Sequence, residues 1–174
     1  CLSRGLGDVY KRQVLIIPDG PQLGVVCDID DTVMVTHMPR ALVASWNAFV
    51  KQSFARQAVP GMAALLNRVQ KTNPGAPVIY LSTGAWNVVP TLRNFFERHN
   101  FPRGPMLMTD WGPTNTGWFR SGLEHKRTQL RRLMIDLPEV KWLLIGDDGQ
   151  FDRIIYGDLA HDHGDKVEAI AIRK

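Results

Sequence analysis

The chain has 174 residues, 44% of them hydrophobic, with 21 Lys+Arg against 17 Asp+Glu and a formal net charge of +4. That balance suits one globular domain of ordinary size and excludes a disordered chain, a collagen or a coiled coil. No apolar run approaches the roughly 18 to 20 residues needed to cross a bilayer, so nothing in the sequence reads as a membrane span.

A basic excess raises nucleic acid or an acidic membrane surface as partners, so where the charges sit has to be settled first. Residues 1–13 carry no apolar periodicity, no signal-peptide core and no face to bury. The stretch Ser3-Arg-Gly-Leu-Gly-Asp-Val-Tyr-Lys-Arg-Gln13 resembles, residue for residue, one reading frame of a transposon-end sequencing adapter. We therefore expect 1–13 to be a non-native adapter translation and 14–174 to form one domain whose native N-terminus is missing. A native disordered arm is the alternative. Without Arg4, Lys11, Arg12 and Asp8 the remainder holds 18 basic and 16 acidic side chains, a balance of only +2. Cys27 is then the one remaining cysteine, so no intrachain disulfide is expected, which weakly fits a reducing compartment.

In chain order, residues 14–17 are apolar and β-branched, 18–21 are turn chemistry, and 23–27 form a second strand candidate running straight into acidic residues. Leu42, Trp46, Phe49 and Val50 fall at helical spacing, as do Met62, Leu65, Leu66 and Val69 behind a Pro60 suited to a first helical turn. Residues 78–81 read as a strand. Val88, Leu92, Phe95 and Phe96 repeat the helical pattern after Asn87, a candidate N-cap. Strands at 106–108, 142–145 and 167–172 follow, with a helix marked by Leu123, Leu130, Leu133 and Met134 before the second of them. Continuous apolar strands alternating with helices predict a doubly wound α/β domain, its mainly parallel sheet covered on both faces. Trp46, Trp86 and Trp142 fall in these patterns and are expected in the core.

In such folds ligands bind beyond the carboxyl ends of the strands, where strand order reverses. Those positions are unusually polar here: Asp28-Ile-Asp-Asp-Thr32, Ser82-Thr-Gly84, Thr109-Asp-Trp-Gly112 and Gly146-Asp-Asp-Gly-Gln-Phe-Asp152. Asp28, Asp30, Asp31, Asp147, Asp148 and Asp152 would thus gather at one sheet edge. Two unit charges about 4 Å apart repel by roughly 4 kcal/mol at an effective dielectric near 20, so the cluster implies a divalent cation. All-oxygen ligands favour Mg²⁺ over zinc. An ordinary Asp-rich turn is the competing explanation for either group alone.

Asp-x-Asp-x-Thr directly after an apolar strand resembles the first motif of the haloacid dehalogenase superfamily of phosphohydrolases, and the other motifs follow in that family's order. The resemblance implies that Asp28 is a nucleophile forming an aspartyl-phosphate and also a metal ligand. Asp30 would act as acid and then base, its carbonyl a further ligand. Thr32 would hold the turn, Ser82 would donate to the transferring phosphoryl group, and Lys126 would offset charge on nucleophile and phosphate. Asp147 and Asp152 would close the metal site; Asp148 stays open beside Asp147, because spacing allows either neighbour to pair with Asp152. Thr32, Thr83 and Gly84 would line the phosphate.

Asp-Ile-Asp-Asp-Thr-Val, Val59-Pro-Gly-Met62, Tyr80-Leu-Ser82, the 104–112 run, Glu124-His-Lys-Arg127 and the 146–152 run narrow this further. Together they resemble the catalytic domain of the actin-patch-type phosphatidate phosphatases, which a large set of bacterial proteins carries, over 23–172. The resemblance implies Mg²⁺-dependent conversion of phosphatidate to diacylglycerol. Little sequence lies between the first two motifs to build a large cap domain, and the arrangement of charge points to a phosphate ester rather than to a nucleic-acid partner. Location stays unknown from the sequence, with the cytoplasm or a peripheral-membrane site expected. The Gly-rich aromatic stretch 110–122 offers Trp111, Trp118 and Phe119 to a lipid interface and Arg120 to a head-group phosphate, unless the aromatics pack inward as a loop anchor. His161 and His163 lack a further ligand in register and read as a solvated loop.

Rival readings are a receiver domain, a non-catalytic lipid-binding domain of the same fold, and a phosphatase for a soluble or polynucleotide phosphomonoester. A receiver carries its phosphorylated Asp after the third strand and its Lys last, whereas here Asp28 comes first. A pure binder has no use for an acid at Asp30.

Overall fold

The structure is a computed structural model that describes residues 15–20, 22–35, 57–109, 118–149 and 151–174, with side chains of 118–121 left aside. The expected helix over 42–50, His37, Trp46 and Trp111 lie outside the described residues. The elements are β1 (Gln22–Asp28), α1 (Met62–Thr72), β2 (Val78–Ala85), α2 (Val89–Arg98), β3 (Met106–Thr109), α3 (Trp118–Asp136), β4 (Val140–Asp147), α4 (Asp152–Asp162) and β5 (Val167–Arg173). They build one five-stranded sheet in the order β3-β2-β1-β4-β5, parallel throughout.

The chain winds outward from β1 to β3, then crosses back to place β4 on the other side of β1. That reversal puts the switch point between the carboxyl ends of β1 and β4, where Asp28 and Asp147 sit. It also excludes the receiver reading. Receiver-type sheets run 2-1-3-4-5, with the first strand one place in from an edge; here the Asp-bearing first strand is central.

Period-two alternation divides β1 between two cores. Val25 and Cys27 face a cluster completed by Met62, Leu66, Leu92, Phe95 and Phe96 from α1 and α2. Val26 faces the opposite cluster, with Leu130, Met134, Ile155, Tyr156 and Leu159 from α3 and α4. Asp28 follows Val26 by two residues and so emerges toward α3 and α4. Gly24 shares that face, where an added Cβ would lie 2.7 Å from the Trp142 ring, so its bareness makes room for the largest fully buried side chain. Burial of each large apolar group in these layers stabilises the sheet by about 1.5–3 kcal/mol.

Four local expectations change. Residues 15–18 carry no strand; Ile16 is exposed and only Ile17 packs on the second core. Asn87 does not cap α2: a 3₁₀ turn over Trp86–Val88 leads into the helix, whose N-cap is Val88. Pro60 precedes rather than starts α1, whose N-cap is Gly61 at φ 80. Trp86 is 47% exposed, unlike the fully buried Trp142, because it follows the last residue of β2 and is carried beyond the sheet edge. No large cap domain is seen among the described residues, and none of their helices is long and apolar enough to cross a membrane.

Candidate active site

The turn after β1 sets the geometry. Val33 N–H donates to the Ile29 carbonyl at 2.9 Å and Asp31 N–H to that of Met34 at 2.9 Å, closing one tight turn in which Asp31 takes a left-handed φ of 55. Residues 33–35 then pair antiparallel with 57–59 through Val59 N to Val33 O and Val35 N to Gln57 O. Two carboxylates project from this turn in different directions.

Asp28 meets Lys126, whose ammonium donates to Asp28 Oδ1 at 2.6 Å and to Asp152 Oδ1 at 2.6 Å. All three side chains are at most 3% exposed. Thr32 Oγ1 approaches Asp28 Oδ2 at 3.3 Å. Asp30 turns instead to the end of β2, where Ser82 Oγ donates to its Oδ2 at 3.0 Å and accepts from the Gly84 N–H at 2.9 Å. Ser82, expected to face the phosphoryl group, is thus bonded to the acid beside it. Thr109 Oγ1 bonds the carbonyls of Thr83 and Gly84 at 3.1 and 3.2 Å and steadies that strand end. Gly122 comes within 3.1 Å of the Thr83 methyl, measured from an added Cβ.

Carboxylate oxygens of Asp28, Asp147 and Asp152 lie within 4.8 Å of one another, and all three side chains are buried. Asp147 accepts the Gly149 N–H through Oδ1. Asp152 Oδ2 is buried without a hydrogen-bond partner. Of the two neighbours, Asp147 joins the buried cluster, whereas Asp148 is exposed and outside it. Asp30 is likewise outside the triad. His161 and His163 join no metal-ligand cluster among the described residues. Trp118 and Arg120 fall where side chains are not described, and Trp111 lies outside the described residues.

Electrostatics follow from burial. Asp28 is held well above the usual carboxylate range, first by desolvation; Lys126 opposes this, while the charges of Asp152 and Asp30 add to it. Burial works to lower the Lys126 ammonium, but Asp28 and Asp152 outweigh it, and its titration moves above the ordinary lysine value. Among the described residues, one cation therefore faces several buried acids. The excess negative charge, an all-oxygen donor set and the orphaned Asp152 Oδ2 fit a hard divalent cation such as Mg²⁺ held by Asp28, Asp147 and Asp152. Cys27 is no rival nucleophile: burial, then the Asp28 charge, pushes its thiol up.

Sequence reasoning missed two supports. Gly146 must lack a Cβ, which would fall 2.8 Å from Asp152 Cβ and closer still to its carboxylate; a glycine ending an apolar strand just before two acids is the signal. Thr109 carries a signal in its place at the end of β3.

A parallel sheet of this order, with a buried Asp–Lys–Asp constellation at its switch point and a second acid two residues beyond the first, defines a haloacid dehalogenase-like fold. Solved structures share the fold. A chain of a Pnkp1/Rnl/Hen1 complex superposes with TM-score 0.58 at 15% identity, covering 92% of this chain and 50% of that one. The HAD domain of the effector Lem4 from Legionella pneumophila gives 0.55 at 16% identity, covering 89% and 86%. The family model for the catalytic domain of phosphatidate phosphatase APP1 matches residues 23–174, and the chain belongs to that family of phosphoric monoester hydrolases. It is 26% identical over 157 residues to phosphatidate phosphatase APP1 of Saccharomyces cerevisiae, covering 87% of this chain and 26% of that protein. It is 27% identical over 165 residues to the uncharacterized protein C29B5.04c of Schizosaccharomyces pombe, covering 94% and 27%. The chain thus spans about a quarter of the length of these relatives.

Proposed function

We propose that this domain hydrolyses phosphomonoesters through an aspartyl-phosphate on Asp28, with phosphatidate or a related lipid phosphate as substrate and Mg²⁺ as cofactor. The observation that carries the reading is the buried Asp28–Lys126–Asp152 constellation, two contacts of 2.6 Å from one ammonium at the switch point.

In this mechanism an Asp28 oxygen attacks phosphorus, and the bond from phosphorus to the alcohol oxygen breaks. Asp30, steadied by Ser82, gives its proton to that leaving oxygen and then takes one from water, which attacks the aspartyl-phosphate to release phosphate and restore Asp28. Lys126 holds one Asp28 oxygen in place and offsets the negative charge gathering at phosphorus. Asp28, Asp147 and Asp152 would hold Mg²⁺, which would supply further positive charge at the phosphoryl group when bound. Thr32 orients the nucleophile; Thr83 and Gly84 lie at the strand end beside it.

The lipid reading is supported by the family's own description. It is also supported by Trp86, Phe151 and Ile154, which are 47%, 41% and 56% exposed at or just beyond the carboxyl ends of β2 and β4, a placement suited to peripheral contact with a bilayer. The test is phosphate release from phosphatidate in mixed micelles and from soluble and polynucleotide phosphomonoesters, in Mg²⁺ or EDTA, for wild type and Asp28→Asn. We expect Mg²⁺-dependent release from phosphatidate that the substitution abolishes. Equal activity in the variant sinks the nucleophile assignment, release from soluble esters alone removes the lipid claim, and lipid binding without release from any substrate favours a binding module.

A further inference from the structure

Arg173, the last residue of β5, has no part in the mechanism above, yet it joins both acid-bearing turns. Its Nη1 donates to the Asp31 backbone carbonyl at 2.6 Å, across 142 positions of sequence. Its own carbonyl accepts the Asp148 N–H at 3.0 Å, and it lies in register beside Asp147. Because β4 stands between β5 and β1, the guanidinium reaches across the carboxyl end of β4 to the β1 turn, a span of about two strand spacings, roughly 9–10 Å. Ala171 packs on the α1/α2 core and Ile172 on the α3/α4 core, so alternation sets Arg173 on the α1/α2 side. Lys126 approaches from α3, on the other face.

The carbonyl it grips is the critical one. Asp31 is the left-handed residue of the turn, and its N–H is already bonded to Met34. Fixing its carbonyl fixes the plane of the Asp31–Thr32 peptide. Thr32 in turn directs its hydroxyl to Asp28 Oδ2, and Asp30 precedes the same peptide. We infer that Arg173 is a positioning residue for the nucleophile turn: its guanidinium holds the Asp31 carbonyl, and through it the aim of Asp28 and Asp30. The inference rests on the proposed phosphatase reading only for its effect on turnover.

The test uses the full chain with Arg173→Met, which keeps the apolar stem and removes the donors, and Arg173→Lys, which keeps a cationic donor. Hydrogen exchange is followed at individual backbone amides, and steady-state kinetics on p-nitrophenyl phosphate with Mg²⁺ are measured in parallel. We expect the Asp31, Val33 and Met34 amides to exchange about tenfold or more faster in Arg173→Met while Ile79 and Tyr80 stay unchanged. Displacing the reacting groups should lower kcat about ten- to a hundredfold with KM within about twofold, and Arg173→Lys should recover most of the loss. Unchanged exchange at the turn overturns the inference. So does faster exchange throughout the sheet with kcat intact, which marks a merely structural tether. If wild type releases no phosphate from any ester, the phosphatase reading fails separately, and exchange at the turn still decides whether Arg173 holds it.

Discussion

Replacing Lys126 by Met removes the one ammonium between Asp28 and Asp152 while keeping most of the side-chain volume. At 2.6 Å and an effective dielectric near 20, each contact carries an attraction of about 6 kcal/mol before desolvation is counted. Desolvation of the buried charges offsets most of that gain, and removing one member of a buried pair typically costs about 3–5 kcal/mol because its partner is left unmatched. Two carboxylates lose their cation here. Asp28, already raised by burial, relieves part of the strain by taking a proton, so we expect Lys126→Met to cost about 3–5 kcal/mol at neutral pH. Asp152→Asn thins a crowded set of acids and should cost less than about 1 kcal/mol without metal, and in the double variant the two effects should couple by at least about 2 kcal/mol. Urea unfolding in EDTA, followed by circular dichroism and tryptophan fluorescence and fitted with a common m-value, measures all four proteins. A Lys126→Met midpoint matching wild type would refute the buried ion-pair geometry.

Because the folded value of Asp28 is raised above the ordinary 3.8, its contribution to stability is full below that pH and lost as pH rises toward the folded value. In EDTA, the stability of wild type minus that of Asp28→Asn should therefore fall as pH rises above the ordinary carboxylate range, and saturating Mg²⁺ should flatten the slope in thermal melts. Lys126 is raised above its ordinary 10.5, so its ion pairs persist to that pH and weaken only above it, a loss visible as a late alkaline transition. Gly146→Ala places a methyl 2.8 Å from Asp152 Cβ and should cost about 1–3 kcal/mol, with a higher Mg²⁺ requirement in calorimetric titration. Asp147→Asn should weaken Mg²⁺ binding by about tenfold or more whereas Asp148→Asn leaves it within twofold; equal effects would contradict the burial difference between the two.

Strand and helix identity was legible in the chain because apolar continuity and helical spacing are local properties. Residues 78–81, 142–145 and 167–172 all fall inside strands. The 15–17 segment misled because a β-branched run says nothing about a partner, and this one pairs with no sheet edge. Trp86 misled because a large aromatic between a strand and a helical pattern reads as core, whereas its place in the 3₁₀ turn beyond β2 exposes it. The acids at the ends of two strands and the hydroxyl near the end of a third could be read because each sits close to a strand end, whereas Lys126, mid-helix, was read from the order of the motifs.

Only the tertiary structure decided how these groups divide the work. Alternation in β1 sends Asp28 to Lys126 and Asp152, while the turn sends Asp30 to Ser82. Asp147 is buried in the acid cluster and its neighbour Asp148 is exposed, a difference that spacing along the chain leaves open. Arg173 reaches Asp31 across 142 residues, and no local pattern announces such a contact. Sequence by itself determined which chemistry is present and in what order, because residue types and strand ends are properties of short segments. Direction, burial and pairing depend on which strand lies beside which, and that is settled only when the sheet closes around β1.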